Sequence, residues 1–452
     1  MNNSISNRRS FLKVSALGSL GTMSVPVILG GCSNASSKSE QLKDVEVIDI
    51  LDKAIDGKPL KAGLVGCGGR GTGAALNFLN AGNELQVTAI GDVFQDKVDT
   101  CRDILKGKGQ NLSNENCFVG FDAYQKVIDS GIDVVLLCTP PVFRHIHFDY
   151  AIQKMKHCFI EKPCAVDPVG VRKMLVLGKQ AAQQNLSVVS GFTRHWRKDC
   201  IEMYKRVAGG MIGEIVSAHI VYFRGAMWVR KREKGWDDME YMLRNWVNFN
   251  WLFGDIIVDD IIHFIDMLSW FMGWKRPVRA EGNGGRHRSV TGDTYDFFNV
   301  EYVFENGIRA HCTERTIDGC DNQMDVLLYG TKGYADIEKG TIYNLDGTIA
   351  WKYPYPKPED ADQSMKVPSP FDQEHIHLVT SIRANKPMND VEQHALSTLM
   401  SIMGRESAYT GRTVTWDQIM ASDLKLGPET YQFGNVPWFK EEIPVPGAPS
   451  KI

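Results

Sequence analysis

Apolar residues along this chain form short continuous runs in its first half and a different pattern in its second. From Lys61, "AGLV", "LQVTAIGD", "IDVVLLCTPP" and "HCFIEKP" are runs of strand length. Between them lie stretches with helical spacing, among them "TGAALNFLNAG" and Arg144 to Lys156. Runs apolar at every position suit strands covered on both faces, and strands alternating with helices predict an α/β fold with a doubly wound parallel sheet. After Ala181, "LSVVSGF", "GEIVSAHIVYFRG", "TYDFFNVEYVF", "GIRAHCTERT", "QMDVLLYGTKG" and "YADIEKGTIYNL" read as strands with turn punctuation. Two helical segments follow, "EHIHLVTSIRAN" and "EQHALSTLMSIMGRESAYTG". The expected organisation is a first domain over 59–182, a second α+β domain over 183–437 and an extended tail over 438–452. No internal repeat is visible.

The first turn of the first domain carries chemistry. Gly66-x-Gly68-x-x-Gly71 directly follows "AGLV" and opens a helix. Gly66 suits a tight turn, Gly68 lets the backbone approach a pyrophosphate, and Gly71 lets helix and strand pack closely. The free amides of the helix start then face the phosphates. Gly69 and Arg70 fill the variable slots, with Arg70 a candidate for the pyrophosphate. "LQVTAIGD" ends at Asp92, where a carboxylate binds the ribose hydroxyls of an adenosine and repels a 2′-phosphate. Phe94 and Gln95 follow in place of an arginine, so NAD is expected rather than NADP. The Thr139-Pro140-Pro141 loop after the third apolar run is placed to border the nicotinamide ribose.

Composition adds an address. The 452 residues are 43% hydrophobic and 23% charged, with net charge −3. That is enough chain for two cores, and it offers no electrostatic footprint for nucleic acid. No run of about 18 apolar residues follows the first 35, so no later segment reads as a membrane span. At the start, Arg8-Arg9-Ser10-Phe11-Leu12-Lys13 is similar to a twin-arginine export signal, and a mild apolar segment from Val14 to Leu29 follows it. Leu29-Gly30-Gly31-Cys32 reads as a lipobox, in which Cys32 is acylated and becomes a membrane anchor. Residues 1–32 are thus expected to be a signal and 33–58 a tether and linker. The alternative is a cleaved signal with an incidental cysteine. The ten cysteines show no CxxC pair and no zinc spacing. They read as buried thiols, folded in a reducing compartment before export, and no metal site is expected.

Two further groups of residues suit catalysis. Glu161-Lys162-Pro163 ends the run "HCFIEKP", and ligands of open α/β sheets bind at the carboxyl ends of strands. A lysine there can hold a substrate hydroxyl or stabilise a developing carbonyl oxygen. In "GDIIVDDIIHFIDMLSWFMG", Asp259 and His263 stand four apart, so on a helix they share one face, one turn from each other, with Asp266 a turn further on. Histidine is the natural general base for a hydroxyl proton, and Asp259 could orient it or hold a neighbouring hydroxyl. Asp260 is ambiguous. A capped helix with a merely satisfied histidine is the bland alternative.

The order of these features, with Arg144 and His147 and "GFTRHW" between them, resembles the glucose–fructose oxidoreductase / inositol dehydrogenase / MocA family, from about Lys61 to the mid-400s. The resemblance implies a second domain built on a large, mostly antiparallel open sheet, with the active site between sheet and cofactor. It implies Lys162 as catalytic lysine and Asp259 and His263 as the family's Asp/His pair, and it puts Arg194 and His195 near the substrate. Glu161, Lys162, Thr139 and Pro140 would border the cofactor.

Seven of the ten tryptophans lie between Trp196 and Trp274, interleaved with Arg224, Arg230, Arg244, Asn245 and Asn248. Aromatic faces rimmed by polar groups suit a sugar, and one or two of these tryptophans, Trp246 among them, are expected to touch it. The remainder would fill a core. His375 and His377 are candidates for the cleft or for a helix surface. The expected activity is NAD-dependent oxidation of a sugar, polyol or glycoside hydroxyl. Since free NAD is not dependable outside the cytosol, the cofactor is expected to be tightly bound and recycled in place. The alternatives are a redox-neutral glycoside hydrolase or lyase and a non-catalytic sugar or NAD sensor. An exposed face of the second sheet would favour a homo-oligomer.

Overall fold

The computed structural model describes residues 49–356 and 368–447. The expected signal, Arg8-Arg9, Cys32 and most of the tether lie outside the described residues.

Six strands, β1 (Leu60–Val65), β2 (Leu85–Asp92), β3 (Cys117–Val119), β4 (Val134–Leu137), β5 (His157–Ile160) and β6 (Val188–Ser190), form one sheet in the order β3-β2-β1-β4-β5-β6. Every pair is parallel. Helices α1 (Gly69–Asn80), α2 (Gln95–Lys106), α3 (Ala123–Asp129), α4 (Pro141–Gln153) and α5 (Pro168–Gln183) connect them. The unbroken apolar runs have a physical reason in this arrangement. Leu64, Leu136 and Phe159 point into one apolar cluster, while their neighbours Val65, Leu137 and Ile160 point into another. Strand side chains alternate faces, so a sheet covered on both sides needs apolar residues at every position. Each such side chain contributes about 1.5–3 kcal/mol on burial. Chain order reverses between β1 and β4, which opens a crevice at the strands' carboxyl ends.

The second sheet has nine strands: β7 (Ile215–Arg224), β8 (Arg279–Gly285), β9 (Phe297–Val303), β10 (Arg309–Thr316), β11 (Gln323–Gly330), β12 (Gly333–Asp336), β13 (Thr341–Asn344), β14 (Ile349–Lys352) and β15 (Val414–Thr415). Their order is β14-β13-β12-β11-β7-β10-β9-β8-β15. All pairs are antiparallel except β7 with β10. Alternation is clear in β10, where Arg309 and His311 are exposed and Ala310 and Cys312 are buried. The helix Val391–Thr410 lies against β8 and β9. Strand β8, "RAEGNGG", has no strand-like pattern because its glycines sit against close neighbours, that helix at Gly282 and Phe297 of β9 at Gly284 and Gly285. A Cβ on Gly282 would stand 3.0 Å from the Ala408 amide nitrogen and 3.2 Å from the Gly404 carbonyl.

Three boundaries differ from the sequence reading. Strand β6 lies beyond residue 182 yet pairs with β5, so the first sheet extends past the expected boundary. The helix Pro370–Arg383 returns to the first domain, where Ile376, Val379 and Ile382 share a core with Phe78 of α1. His375 is fully buried there and His377 stacks on Trp196 at 4.5 Å, so neither reaches a cleft or a helix surface. The last part of the expected linker is also packed: Ala54 is buried and donates its N–H to the Ala81 carbonyl at 2.7 Å.

The C-terminal segment is extended but pinned along its length. The Leu426 N–H donates to Asp167 at 2.8 Å, and the Val436 N–H to Asp238 at 3.1 Å. The Tyr295 hydroxyl donates to the Pro444 carbonyl at 2.7 Å. Of the nine described cysteines, all free, six are buried, Cys117 and Cys138 are half-buried and Cys320 is exposed. Among the described residues no helix is long and apolar enough to cross a membrane.

Candidate active site

The crevice above β1 and β4 holds a cavity of about 470 Å³. Its floor is the glycine turn. Gly66 has φ +98°, and a Cβ there would lie 2.7–2.8 Å from the Cys138 and Thr139 backbone. At Gly71 a Cβ would lie 1.8 Å from the Gly66 carbonyl, so close packing forbids any side chain. Gly68 and Gly69 differ: a Cβ at either would meet nothing within 4 Å. Their missing side chains therefore leave room in the cavity, at the amide-lined start of α1. A pyrophosphate fits such a cradle.

At one end of the cavity Asp92 accepts the N–H of Cys67 at 2.7 Å and of Phe94 at 3.0 Å. Burial raises its pKa against the pull of these two donors. Around it stand Phe94, Lys97, Phe121 and Tyr124, with Leu243 and Arg244 arriving from the second domain. Arg244 lies 3.9 Å from the Phe94 ring centre and pairs with Asp96 at 2.9 Å. An apolar slot beside a carboxylate suits an adenosine. Phe121 and Tyr124 had no motif to announce them: Phe121 sits in the turn after the short strand β3, and Tyr124 in the first turn of α3.

Thr139 and Pro140 line the middle of the cavity. The Thr139 hydroxyl lies 3.3 Å from His147 Nδ1, and the Thr139 carbonyl accepts from Arg144 Nε at 2.9 Å. Arg144 also donates to the Pro163 carbonyl at 2.5 Å, tying this loop to the Glu161-Lys162-Pro163 turn. The His147 ring stacks on Tyr124 at 4.2 Å, and burial holds its pKa down to about 3. Arg70 also borders the cavity, but its guanidinium is engaged by the protein. It pairs with Glu161, donates to Asn77 at 3.2 Å and lies 3.8 Å from Glu374.

At the other end Lys162 donates to the Asp259 carbonyl at 2.5 Å and stands 3.2 Å from the Asp259 carboxylate. Both side chains line the cavity and are largely buried. The expected Asp259–His263 pair does not form. The helix Ile256–Asp259 ends before a second one, Ile262–Phe271, begins, and Asp259 turns to Lys162 instead. His263 packs edge-on to Phe192 at 6.0 Å, and its Nδ1 is buried without a hydrogen-bond partner. Burial, then the charges of Lys162 and Arg194, push its pKa well below the usual histidine value. Asp260 pairs with Arg224 at 3.0 Å.

His195 and Arg194 have partners of their own. His195 Nε2 contacts Asp266 at 2.6 Å, and Ser397 donates to the other Asp266 oxygen at 2.8 Å. Burial opposes protonation of His195, but Asp266 outweighs it and the pKa is raised. Arg194 pairs with Glu338 and covers the Phe264 ring at 4.4 Å. Neither side chain lines the cavity.

Of the tryptophan-rich segment, Trp228, Arg230 and Trp246 line it. Asn245 accepts the Arg230 N–H at 2.7 Å and Asn248 donates to the Trp228 carbonyl at 3.0 Å, so these asparagines hold the loop. Trp270, by contrast, is buried and stacks on Tyr204 at 4.6 Å.

Fold and site together define a class: a dinucleotide-binding domain facing an open mixed sheet, with a lysine–carboxylate pair in the cavity between them. Residues 60–190 match the family model described as an oxidoreductase family with an NAD-binding Rossmann fold, and residues 201–336 match the GFO/IDH/MocA C-terminal domain. The chain belongs to the Gfo/Idh/MocA family of NAD-binding oxidoreductases.

Among its relatives is a myo-inositol 2-dehydrogenase of Thermotoga maritima, 25% identical over 296 residues, which are 63% of this chain and 78% of the relative. An inositol 2-dehydrogenase of Paracoccus denitrificans is 27% identical over 47% of this chain and 54% of the relative. In fold, the chain is similar to myo-inositol 2-dehydrogenase of Lactobacillus plantarum, with TM-score 0.59 and 21% identity, covering 79% of this chain and 99% of that one. Scyllo-inositol dehydrogenase of Lactobacillus casei, solved with NAD(H) and scyllo-inositol, matches with the same score, identity and coverage.

Proposed function

We propose that the protein oxidises a secondary hydroxyl of a cyclic polyol, sugar or glycoside with NAD, and that the cofactor stays bound between turnovers. The observation that carries this reading is the Lys162–Asp259 pair, which lines the same cavity as Asp92 and the glycine turn. NAD, when bound, supplies the hydride acceptor. Gly66–Gly71 amides would hold its phosphates and Asp92 its ribose hydroxyls. The Lys162 ammonium, fixed by Asp259, can bind the substrate oxygen and stabilise the charge that develops there. The Asp259 carboxylate, which lines the cavity, can accept the hydroxyl proton; His263 does not line the cavity, and its Nδ1 is buried behind the pair. Trp228 and Trp246 offer faces for a ring, and the names of the relatives support a cyclic polyol-like substrate.

Retention is supported by the way the adenosine end is closed. Arg244 bridges from the second domain to Asp96 and Phe94. Behind that slot the C-terminal segment lays Phe433 5.2 Å from Phe121, and Tyr431 4.8 Å from Phe143.

The test is chemical. Denatured protein should release NAD, and native protein given inositols or glycosides with an acceptor should yield keto product. Lys162→Ala should lower turnover by a factor of about 10² or more while NAD remains bound. Free aglycone without keto product, or full turnover in the variant, would overturn the reading.

We propose in addition that the protein is exported and lipid-anchored, on the strength of Arg8-Arg9 and Leu29–Cys32. Cys32→Ser should shift it from the membrane to the soluble fraction. Unchanged membrane association would refute the anchor.

A further inference from the structure

Arg70 occupies a variable slot of the glycine turn, one residue into α1, where a cation could grasp a phosphate directly. The structure gives it another partner. Its Nε pairs with Glu161, its Nη1 donates to Asn77 at 3.2 Å, and Phe371 covers its guanidinium at 4.8 Å. Asn77 is itself fixed, donating to Asp372 at 2.8 Å. The opposite carboxylate is equally built in. Glu161 is 7% exposed at its side chain, and its remaining contact is the N–H of its own neighbour Lys162, at 3.2 Å. Gly191 makes the space, since a Cβ there would lie 2.7 Å from a Glu161 oxygen. Glu374 lies further off, 3.8 Å from Arg70, and burial raises its pKa well above the usual carboxylate value.

Glu161 borders the same cavity as Gly68 and Gly69. A carboxylate there, left unpaired, would repel the two negative charges of a pyrophosphate in a poorly hydrated site. We propose that Arg70 is a positioning residue for the cofactor: a counter-ion that neutralises Glu161, so that a dianionic pyrophosphate can lie against the α1 amides. It acts on the phosphates through Glu161, without touching them. It also fixes the carboxylate beside Lys162, and so couples the phosphate turn to the catalytic turn. This rests on the NAD reading above.

Four nucleotide-free proteins test it: wild type, Arg70→Gln, Glu161→Gln and the double variant. Each is titrated calorimetrically with NAD and with adenosine, which carries no phosphate. Arg70→Gln should weaken NAD by about tenfold or more, less so at high salt, and leave adenosine affinity unchanged. Adding Glu161→Gln should return NAD affinity to within about threefold of wild type, because the repelling charge is gone. Glu161→Gln alone should bind NAD as well as wild type or better.

A double variant as weak as Arg70→Gln would mean direct phosphate contact or a purely structural role, and would overturn the proposal. Equal losses for NAD and adenosine, or no loss in Arg70→Gln, would do the same. Wild type that binds adenosine but not NAD would instead overturn the cofactor reading itself.

Discussion

At the scale of single residues, the four glycines of the phosphate turn divide into two kinds. Gly66 and Gly71 are required by the protein, one by its positive φ and one by a 1.8 Å approach to a carbonyl. Gly68 and Gly69 have only open cavity where a side chain would stand. Gly71→Ala should therefore destabilise the fold by about 2 kcal/mol or more, since backbone must move to admit the methyl group. Gly68→Ala should cost no more than about 1 kcal/mol, an N-cap effect, yet weaken NAD clearly. Melting temperatures and NAD titrations of the two variants separate the cases; a reversed order would contradict this division. Lys162 shows the same dependence on surroundings. Its placement at a strand end is local, but its partner Asp259 arrives from 97 residues away.

Among the elements, the joint between α5 and the C-terminal segment is the most informative. Asp167 caps α5 with one oxygen, accepting the Gly170 N–H at 2.7 Å, and holds the Leu426 N–H with the other. One carboxylate thus starts a helix of the first domain and anchors the segment that backs the adenosine slot. Asp167→Ala should lower stability by about 1–2 kcal/mol through the lost cap and the freed amide. Limited proteolysis should then cut the segment after residue 426 faster than in wild type. Equal cleavage rates would show that the aromatic contacts of Tyr431 and Phe433 suffice to hold it. The interruption between Ile256–Asp259 and Ile262–Phe271 matters in the same way, because it frees Asp259 to face Lys162 while His263 packs behind, against Phe192.

For the whole molecule, the largest apolar cluster runs through both sheets, from Val65, Val135 and Ile160 to Ile220, Val300 and Val326. The cavity is assembled from segments as distant in sequence as Gly66 and Trp246, and the C-terminal segment closes over it from behind. The first sheet was legible in the sequence because burial on both faces imposes continuous apolar runs, and because a phosphate turn needs glycines at fixed spacing. Asp92 and Lys162 were legible for the same reason, since each ends a strand whose position the pattern reveals. Side-chain partners were not. Asp259 and His263 have the spacing of a helical pair, yet a break in the helix gives Asp259 to Lys162. Arg70 sits where a phosphate ligand belongs, yet Glu161 takes it. Strand β8 was hidden because the helix at Gly282 and the Phe297 carbonyl at Gly284 approach so closely that glycine stands where a β-type residue is usual. Local spacing determines which face of an element a residue occupies. Which charge it meets depends on packing between elements far apart in the chain, and only the tertiary structure decides that.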